Sequence, residues 1–193
     1  ELGVQYLTLY AFSTENWQRP RAEVGALMDL LVEAVDKYLD ELAANGVRVR
    51  AIGDLEGLPP EARASVTRAV ERTAGNAGLN LVLAINYGGR REIVRAVRAV
   101  AREVREGKLS PEEIDEDRFA RYLDTAGIPD PDLLIRPSGE MRLSNFLLWQ
   151  SAYTEIWVTP VLWPDFGRRE LLEAIGDYQR RERRFGGLGE AGC

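Results

Sequence analysis

The order of apolar and polar positions along the chain predicts a fold in which strands and helices alternate. Short apolar runs rich in β-branched and aromatic residues predict buried strands at 4–12, 47–52, 79–87, 133–136 and 155–158. Apolar residues that recur every three or four positions predict helices at 21–44, 60–73, 91–105, 119–123 and 168–184. This alternation is typical of an α/β fold, here one domain (1–193) with a mostly parallel central sheet flanked by helices.

The amino-acid composition excludes several kinds of site and partner. The 193 residues contain no histidine, which excludes a Ser-His-Asp triad and a HExxH zinc site. The single cysteine is the last residue, Cys193, so no disulfide can form within the chain and a reducing cytoplasm is the expected compartment. With 25 basic and 31 acidic residues the net charge is −6, which argues against nucleic acid as a partner. No apolar run approaches the ~20 residues of a membrane span.

The first unusual polar cluster, STENWQRP at 13–20, follows directly after the first predicted strand. Ligands of such folds bind beyond the carboxyl ends of the strands, and we expect every polar cluster of this sequence at that edge. Ser, Thr and Asn are common in turns because their side chains bond to the local backbone. A Glu, a Trp and an Arg in the same segment favour a binding function as well, so both interpretations stay open.

The second cluster is NYGGR at 86–90, between a predicted strand and a predicted helix. A Gly-Gly turn that opens a helix can hold an anion with its free N–H groups. A tight turn that allows close packing is the favoured interpretation, because the chain has neither a GxxxxGK[ST] nor a GxGxxG motif.

The third cluster, IRPSGEMRLSN at 135–145, carries the strongest functional signal. It places Arg136 and Arg142 around a Ser-Gly turn and adds the hydroxyl of Ser144. Two guanidinium groups and a hydroxyl that converge on one point suit a phosphate or diphosphate, and each charge-assisted bond contributes about 1.5–3 kcal/mol. A solvated polar loop is the alternative.

Two further positions carry charge in unusual surroundings. Glu155 lies among apolar and aromatic residues, where a carboxylate must be ion-paired, hydrogen-bonded or bound to a metal. Next to a diphosphate site Mg²⁺ is the natural partner, since it takes oxygen ligands from carboxylate and phosphate; a buried structural ion pair is the alternative. The basic segment 180–187 is interpreted from composition as a solvated helix end.

At these motifs the sequence resembles the undecaprenyl diphosphate synthase family, which are cis-prenyltransferases or Z-polyprenyl diphosphate synthases. The resemblance is carried by YAFSTENW at 10–17, NYGGR at 86–90, IRPSGEMRLSN at 135–145, WPDF at 163–166 and RRFGG at 183–187. It implies condensation of isopentenyl diphosphate with an allylic diphosphate of farnesyl or geranyl type, with Mg²⁺, to a cell-wall lipid carrier precursor. It also implies an apolar product tunnel between sheet and helices, and a cytoplasmic enzyme with peripheral membrane contact for product release.

The resemblance also assigns roles to individual residues. It implies that Arg136, Arg142 and Ser144 bind the isopentenyl diphosphate, with Leu143 between them. Asn16 matches the proposed proton acceptor; because an uncharged amide is a poor base, we expect it to orient the substrate or relay a proton to a diphosphate oxygen. Further substrate contacts implied by the resemblance are Ser13, Thr14, Glu15, Trp17 and Arg19.

The remaining assignments concern metal and subunits. Glu155 matches the family's second magnesium ligand. The resemblance implies a homodimer in which Arg184 and Gly186 contact diphosphates bound in the neighbouring subunit. An apolar surface must pair the subunits, and residues 146–149 with Tyr153 and Trp157 could provide it.

One departure from the family pattern affects the expected activity. The family's Asp-Gly-Asn-Gly-Arg-Trp loop, which binds magnesium and the allylic diphosphate, has no match in this sequence. Since the sequence starts at Glu1 without Met, we expect N-terminal truncation rather than divergence, and a chain that is inactive alone. A non-catalytic accessory subunit of a heteromeric cis-prenyltransferase is the alternative; the intact segments at 13–17 and 135–145 favour an enzyme.

Overall fold

A computed structural model describes residues 2–182 of the chain, which contain five strands and five α-helices; they alternate except that α4 follows α3 and β5 follows β4. The strands are β1 (Tyr6–Ser13), β2 (Arg48–Ile52), β3 (Asn80–Tyr87), β4 (Leu133–Arg136) and β5 (Glu155–Val158). The helices are α1 (Arg21–Ala44), α2 (Pro60–Arg72), α3 (Gly89–Arg105), α4 (Glu116–Ala120) and α5 (Arg168–Gln179). Short 3-10 turns occur at Thr14–Gln18, Leu55–Gly57, Pro111–Glu113 and Trp163–Asp165. The expected mixed α/β class with parallel strands is confirmed.

The chain divides into two compact units, Glu1–Ile128 and Pro129–Cys193. In the first unit three parallel strands lie in the order β1-β3-β2, so β3 is central and is buried over most of its length. The helices α1 and α2 pack against each other, and α2 packs against β2. The helices and the sheet bury one apolar cluster between them, which includes Met28 and Val66 from the helices and Phe12 and Ile85 from the strands. Burial of each such side chain stabilises the fold by about 1.5–3 kcal/mol.

The second unit is built on two parallel strands, β4 and β5, with α5 packed against both. The register pairs Leu133 with Glu155 and Arg136 with Val158. The loop after β4 is bonded to the segment after β5, because Gly139 N–H donates to the carbonyl of Thr159 at 2.8 Å. These bonds fix the loop that carries the third motif at the carboxyl edge of this sheet.

Two predicted helices differ from those observed. The helix expected at 119–123 spans Glu116–Ala120, because the carboxylate of Asp115 accepts from Arg118 N–H at 2.7 Å and caps the helix earlier. The final helix, expected to reach residue 184, ends at Gln179, and Arg181 turns to carboxylates of its own unit.

No helix among the described residues is both long and apolar enough to cross a lipid bilayer.

Candidate active site

The segment after β1 folds into a 3-10 turn that is closed by Asn16. The backbone N–H of Ser13 donates to Oδ1 of Asn16 at 2.7 Å. Because a backbone N–H can only donate, the amide oxygen of Asn16 must face it, and the amide NH₂ is the part left for another partner. Thr14 donates to the carboxylate of Glu15 at 3.2 Å at the surface of the same turn. The expected proton acceptor therefore presents a donor rather than a base.

Trp17 is the largest side chain of this turn and is held on two sides. Its indole N–H donates to Oδ1 of Asn86 at 2.8 Å. Its ring meets Phe12 edge to face, with centroids 5.0 Å apart and an interplanar angle of 71°. With 38% of the residue exposed, the remaining aromatic surface can meet an apolar ligand. Arg19, at the end of the turn, forms a surface ion pair with Glu23 at 2.7 Å.

A buried chain of tyrosines and carboxylate lies next to this turn. Tyr10 donates to the carbonyl of Tyr87 at 3.2 Å, and the hydroxyl of Tyr87 donates to Glu92 at 2.6 Å. Burial and the charge of Glu15 raise the pKa of Tyr10 to about 12. Burial and the bond to Glu92 raise the pKa of Tyr87 further, so both phenols are neutral donors at neutral pH. Glu92 also accepts from Asp124 N–H at 2.9 Å, and it is 2% exposed.

The NYGGR motif forms the end of β3 and the start of α3. Gly88 is extended (φ −161°) and Gly89 is already the first residue of the helix, two residues earlier than predicted. The motif is buried from residue 86 to residue 89. This close packing agrees with the structural interpretation of the motif, the one favoured from the sequence.

The loop after β4 has an unusual backbone. Positive φ angles occur at Ser138 (69°), Gly139 (69°), Ser144 (48°), Asn145 (65°) and Leu147 (44°). Non-glycine residues rarely adopt this conformation, and such strain collects at ligand-binding sites where the surrounding structure supports it.

The two arginines of the third motif converge on one anion, as the sequence predicts, and that anion is a side chain of the loop itself. Glu140 accepts from Arg136 through one carboxylate oxygen and from Arg142 through the other. Arg136 also donates to the hydroxyl of Ser144 at 3.2 Å. Leu143 is half-buried between them, and its carbonyl accepts from Phe146 N–H at 3.0 Å. We refer to Arg136, the last residue of β4, together with residues 137–147 as the anion loop.

Arg136 retains an unused donor within this arrangement. Its Nε is buried and has no hydrogen-bond partner among the described residues. A buried donor left in this way costs about 1–3 kcal/mol, and a bound ligand or water normally satisfies it. The side chain of Arg136 is half-buried, whereas that of Arg142 is largely exposed. Arg136 is therefore the more buried of the two arginines and Arg142 the more exposed.

Glu155 does not lie at the edge where it was expected. It is the first residue of β5 and stands beside Leu133, whereas Arg136 stands at the carboxyl end beside Val158. Three residues of strand, about 10 Å, separate the two levels. The expectation that every polar cluster lies at the carboxyl edge is therefore wrong for Glu155, because a residue that starts a parallel strand lies at the amino edge.

Glu155 is paired with Arg181, a residue of the basic segment that composition predicts to be a solvated helix end. Nη1 of Arg181 donates to Oε2 of Glu155 at 2.7 Å, and Nη2 donates to Asp177 at 2.6 Å. Bonds to these two carboxylates raise the pKa of Arg181. The described residues contain no cluster of three or more potential metal ligands. The structural ion pair that the sequence left as an alternative is thus present, and the metal role of Glu155 stays a prediction.

Several contributors were not assigned from the sequence. Glu140 lies inside the third motif, and its sequence position between Arg136 and Arg142 could have indicated that it pairs with them. Asn86, Tyr87 and Glu92 stood in or beside NYGGR, but nothing local indicated their partners at 17, 54 and 124. Arg184 and Gly186, the tail residues implied by the resemblance, lie outside the described residues.

Known proteins of similar sequence agree with one another. A family model described as putative undecaprenyl diphosphate synthase matches residues 1–186. The isoprenyl transferase of Heliobacterium mobile is 61% identical over 188 residues, which cover 97% of this chain and 72% of that protein. The isoprenyl transferase of Clostridium perfringens (strain 13 / Type A) is 58% identical over 188 residues, covering 97% and 74%.

Two solved structures extend the likeness to the fold. Lavandulyl diphosphate synthase from Lavandula x intermedia, in complex with dimethylallyl diphosphate, has a TM-score of 0.93 at 41% identity, covering 95% of this chain and 80% of that one. A probable undecaprenyl diphosphate synthase from Campylobacter jejuni has a TM-score of 0.83 at 41% identity, covering 94% and 83%. Fold and site thus define a transferase of the cis-prenyltransferase class. The chain belongs to the undecaprenyl diphosphate synthase family.

Proposed function

We propose that this protein joins isopentenyl diphosphate to an allylic diphosphate of farnesyl or geranyl type and forms a Z-polyprenyl diphosphate for cell-wall synthesis. The observation that carries the proposal is the convergence of Arg136 and Arg142 on one carboxylate, that of Glu140, next to the hydroxyl of Ser144, which accepts from Arg136. A diphosphate offers the same two acceptor oxygens with more charge. The related lavandulyl diphosphate synthase, solved with dimethylallyl diphosphate, supports a diphosphate as ligand.

The reaction sets three demands on the protein. The C–O bond of the allylic diphosphate breaks, the isopentenyl double bond attacks the allylic carbon to form the new C–C bond, and a proton leaves the isopentenyl unit. The first demand is neutralisation of the diphosphates, which Arg136 and Arg142 meet for isopentenyl diphosphate after exchanging Glu140 for it. The second is shelter for the allylic cation, for which the exposed aromatic face of Trp17 is suited.

The third demand is a destination for the proton. The amide oxygen of Asn16 accepts from Ser13 N–H, which orients the amide, and we assign its NH₂ group to the substrate as a donor. A donor binds a diphosphate oxygen and brings that oxygen towards the departing proton. We assign to Asn16 the orientation of the diphosphate, and to the diphosphate oxygen the acceptance of the proton. Ser13, Thr14, Glu15 and Arg19 complete the substrate contacts in this proposal.

Mg²⁺ is the proposed cofactor, and Glu155 would hold it. Glu155 offers a single carboxylate, which suits a magnesium ion whose other ligands are phosphate and water, although it stands about 10 Å along the strands from the level of Arg136. Glu155 would have to exchange Arg181 for the metal, and Asp177 would keep the released guanidinium paired. When bound, the metal neutralises the diphosphate leaving group.

We also propose a homodimer completed by the tail. The second unit exposes apolar side chains that a partner could cover: Tyr153, Ile156, Leu162 and Trp163. Tyr153, which is 71% exposed, lies in the surface proposed to pair the two subunits, together with residues 146–149 and Trp157. Arg184 and Gly186 would then reach diphosphates of the neighbouring subunit. The enzyme would act in the cytoplasm and release its product at the membrane surface. No contact described here favours the accessory-subunit alternative.

Mixed dimers of the natural protein test the tail. One parent carries Arg184→Ala and the other Arg142→Ala, and each homodimer should be impaired at both sites. If the tail acts across the interface, the mixed dimer has one intact site and should recover roughly half of the wild-type activity. If every site retains one defect, no recovery appears and the tail acts within its own chain.

The proposed function itself is tested by Arg142→Ala. The KM for isopentenyl diphosphate should rise by roughly tenfold or more, since one charge-assisted contact of about 1.4 kcal/mol is lost. Arg169→Ala is the matched control, because Arg169 is an exposed arginine of the same unit paired with Glu170. An unchanged KM in Arg142→Ala, or an equal rise in the control, would remove the anion loop from isopentenyl diphosphate binding.

A further inference from the structure

Asn86 occupies an unusual position at the end of β3. It is 3% exposed, and its φ of 49° lies in the left-handed region. Asn adopts this conformation more readily than other residues with a side chain, but a glycine would do so at lower cost. The side chain of Asn86 must therefore contribute something that offsets the strain.

The amide of Asn86 bridges two segments that are distant in sequence. Its Oδ1 accepts from the indole N–H of Trp17 at 2.8 Å, and its Nδ2 donates to the carbonyl of Asp54 at 2.8 Å. An indole N–H can only donate and a carbonyl can only accept, so the bridge needs one acceptor and one donor in a short side chain. Among residues of this size, Asn alone supplies the acceptor and the donor from two different atoms.

The Asp54 side of the bridge is rigid. The carboxylate of Asp54 is paired with Arg91 and accepts from Gly57 N–H at 3.3 Å. The backbone N–H of Asp54 donates to the carbonyl of Asn86 at 3.2 Å. A Cβ on Gly57 would lie 2.8 Å from Nδ2 of Asn86, so the turn closes on the amide without spare room. Asn86 is therefore anchored from the turn after β2, and its Oδ1 is a fixed acceptor.

Trp17, at the other end of the bridge, is restrained by fewer contacts than Asp54. The ring touches Phe12 at one edge and is more than a third exposed. An edge-to-face contact restrains the distance of the ring but leaves its rotation soft, whereas a linear N–H···O bond fixes the direction of the indole. The bond to Asn86 is thus the contact that sets which way the aromatic face points.

We propose that Asn86 is a positioning residue, which aims the indole of Trp17 at the prenyl substrate and anchors it to the turn after β2 through Asp54. The proposal rests on the proposed function, because it takes Trp17 as a substrate contact. Asn86 touches no substrate itself and acts through Trp17. Loss of the bridge should therefore impair the use of the allylic diphosphate more than that of isopentenyl diphosphate.

Two variants remove the bridge from opposite ends. Trp17→Phe keeps an aromatic ring but has no N–H to donate, and Asn86→Gly removes the amide while it accepts the left-handed backbone. Asn80→Ala is the matched control: Asn80 is at the other end of β3, accepts from Arg50 at 3.0 Å and donates to Gln5 at 3.3 Å. The control loses a comparable bridge away from Trp17.

Kinetics of the natural protein should separate these variants. We expect Asn86→Gly and Trp17→Phe each to raise the KM for the allylic diphosphate roughly fivefold or more, with a smaller change for isopentenyl diphosphate. The double variant should be no worse than the poorer single variant, because both remove the same bond. Multiplied effects in the double variant, or equal defects in Asn80→Ala, would overturn the proposal.

A second measurement reports on the indole without any turnover. In a protein with Trp149, Trp157 and Trp163 replaced by Phe, the fluorescence anisotropy of Trp17 should fall and its quenching by acrylamide should rise when Asn86→Gly is added. Asn86→Asp keeps the acceptor and the size but loses the donor to Asp54, so it should give an intermediate change and serves if the glycine variant fails to fold. Unchanged anisotropy in both variants contradicts the positioning role. Absence of condensation in the wild type would instead contradict the proposed function.

Discussion

The turn after β1 and the anion loop after β4 both follow the carboxyl end of a parallel strand, but different forces hold them. In the turn, neutral hydrogen bonds connect Ser13 with Asn16 and Trp17 with Asn86. In the anion loop, two arginines are held by the charge of Glu140 on a backbone with several positive φ angles. Neutral bonds fix the shape of the turn, whereas the arginines of the loop are neutralised by an internal carboxylate, which in our proposal a diphosphate replaces.

The turn therefore provides a fixed shape, whereas the anion loop provides charged groups. Neutral bonds in a partly buried turn fix direction at a net contribution of about 0.5–1.5 kcal/mol each, which suits an aromatic wall. Ion pairs at a half-exposed loop exchange partners easily, because water and salt screen them. A transferase that must bind and release charged groups at every cycle benefits from the second arrangement.

The strongest test of the comparison is Arg136→Ala. Arg136 is the half-buried arm of the loop, with contacts to Glu140 and Ser144 and a buried Nε that a ligand can satisfy. We expect kcat/KM for isopentenyl diphosphate to fall roughly a hundredfold, about 2.7 kcal/mol, and thus more than in Arg142→Ala. Arg136→Lys keeps the charge but not the fork and should recover only part of the loss. Equal effects at the two arginines would contradict the larger role assigned to the more buried one.

A smaller effect is expected from Glu155→Gln, which tests a charge of the same unit outside the loop. If Glu155 holds magnesium, activity should fall roughly tenfold and added Mg²⁺ should restore part of it, while the thermal unfolding midpoint hardly changes. Asp177→Asn is the control, since it removes the other carboxylate bound to Arg181. Unaltered magnesium dependence together with lower stability would leave Glu155 as a structural ion-pair partner only.

The smallest effect concerns the neutral network beside the turn. The pKa of Tyr10 is about 12 in the folded chain against 10.0 for an ordinary tyrosine. The unfolded chain therefore loses this proton between pH 10 and 12 while the folded chain keeps it, and the free energy of unfolding falls as pH rises through that window. In Tyr10→Phe this decrease should be shallower in urea titrations at pH 9 to 11. Identical slopes in variant and wild type would contradict the shift.

The fold class could be predicted from the sequence, whereas the roles assigned to the site residues stay predictions. The helix α1 lies at the predicted residues because apolar periodicity and the flanking Pro20 and Asn45-Gly46 are local signals. The convergence of Arg136 and Arg142 was also predictable, since both stand in one short loop around a turn. The predicted helix boundaries were wrong where a single side chain sets the boundary, as the capping carboxylate of Asp115 does at the start of α4.

The sequence by itself determined the alternation of strands and helices, the loop with its two arginines and the family motifs, because each depends on residues close together in the chain. Tertiary structure alone decided the partners: Asn86 for Trp17, Arg181 for Glu155, and Glu92 for Asp124 N–H. It also placed Glu155 at the amino edge of its sheet, through the parallel register of β4 and β5. The physical reason is that partners across strands are set by register and chain crossings, to which residues far apart in sequence contribute together.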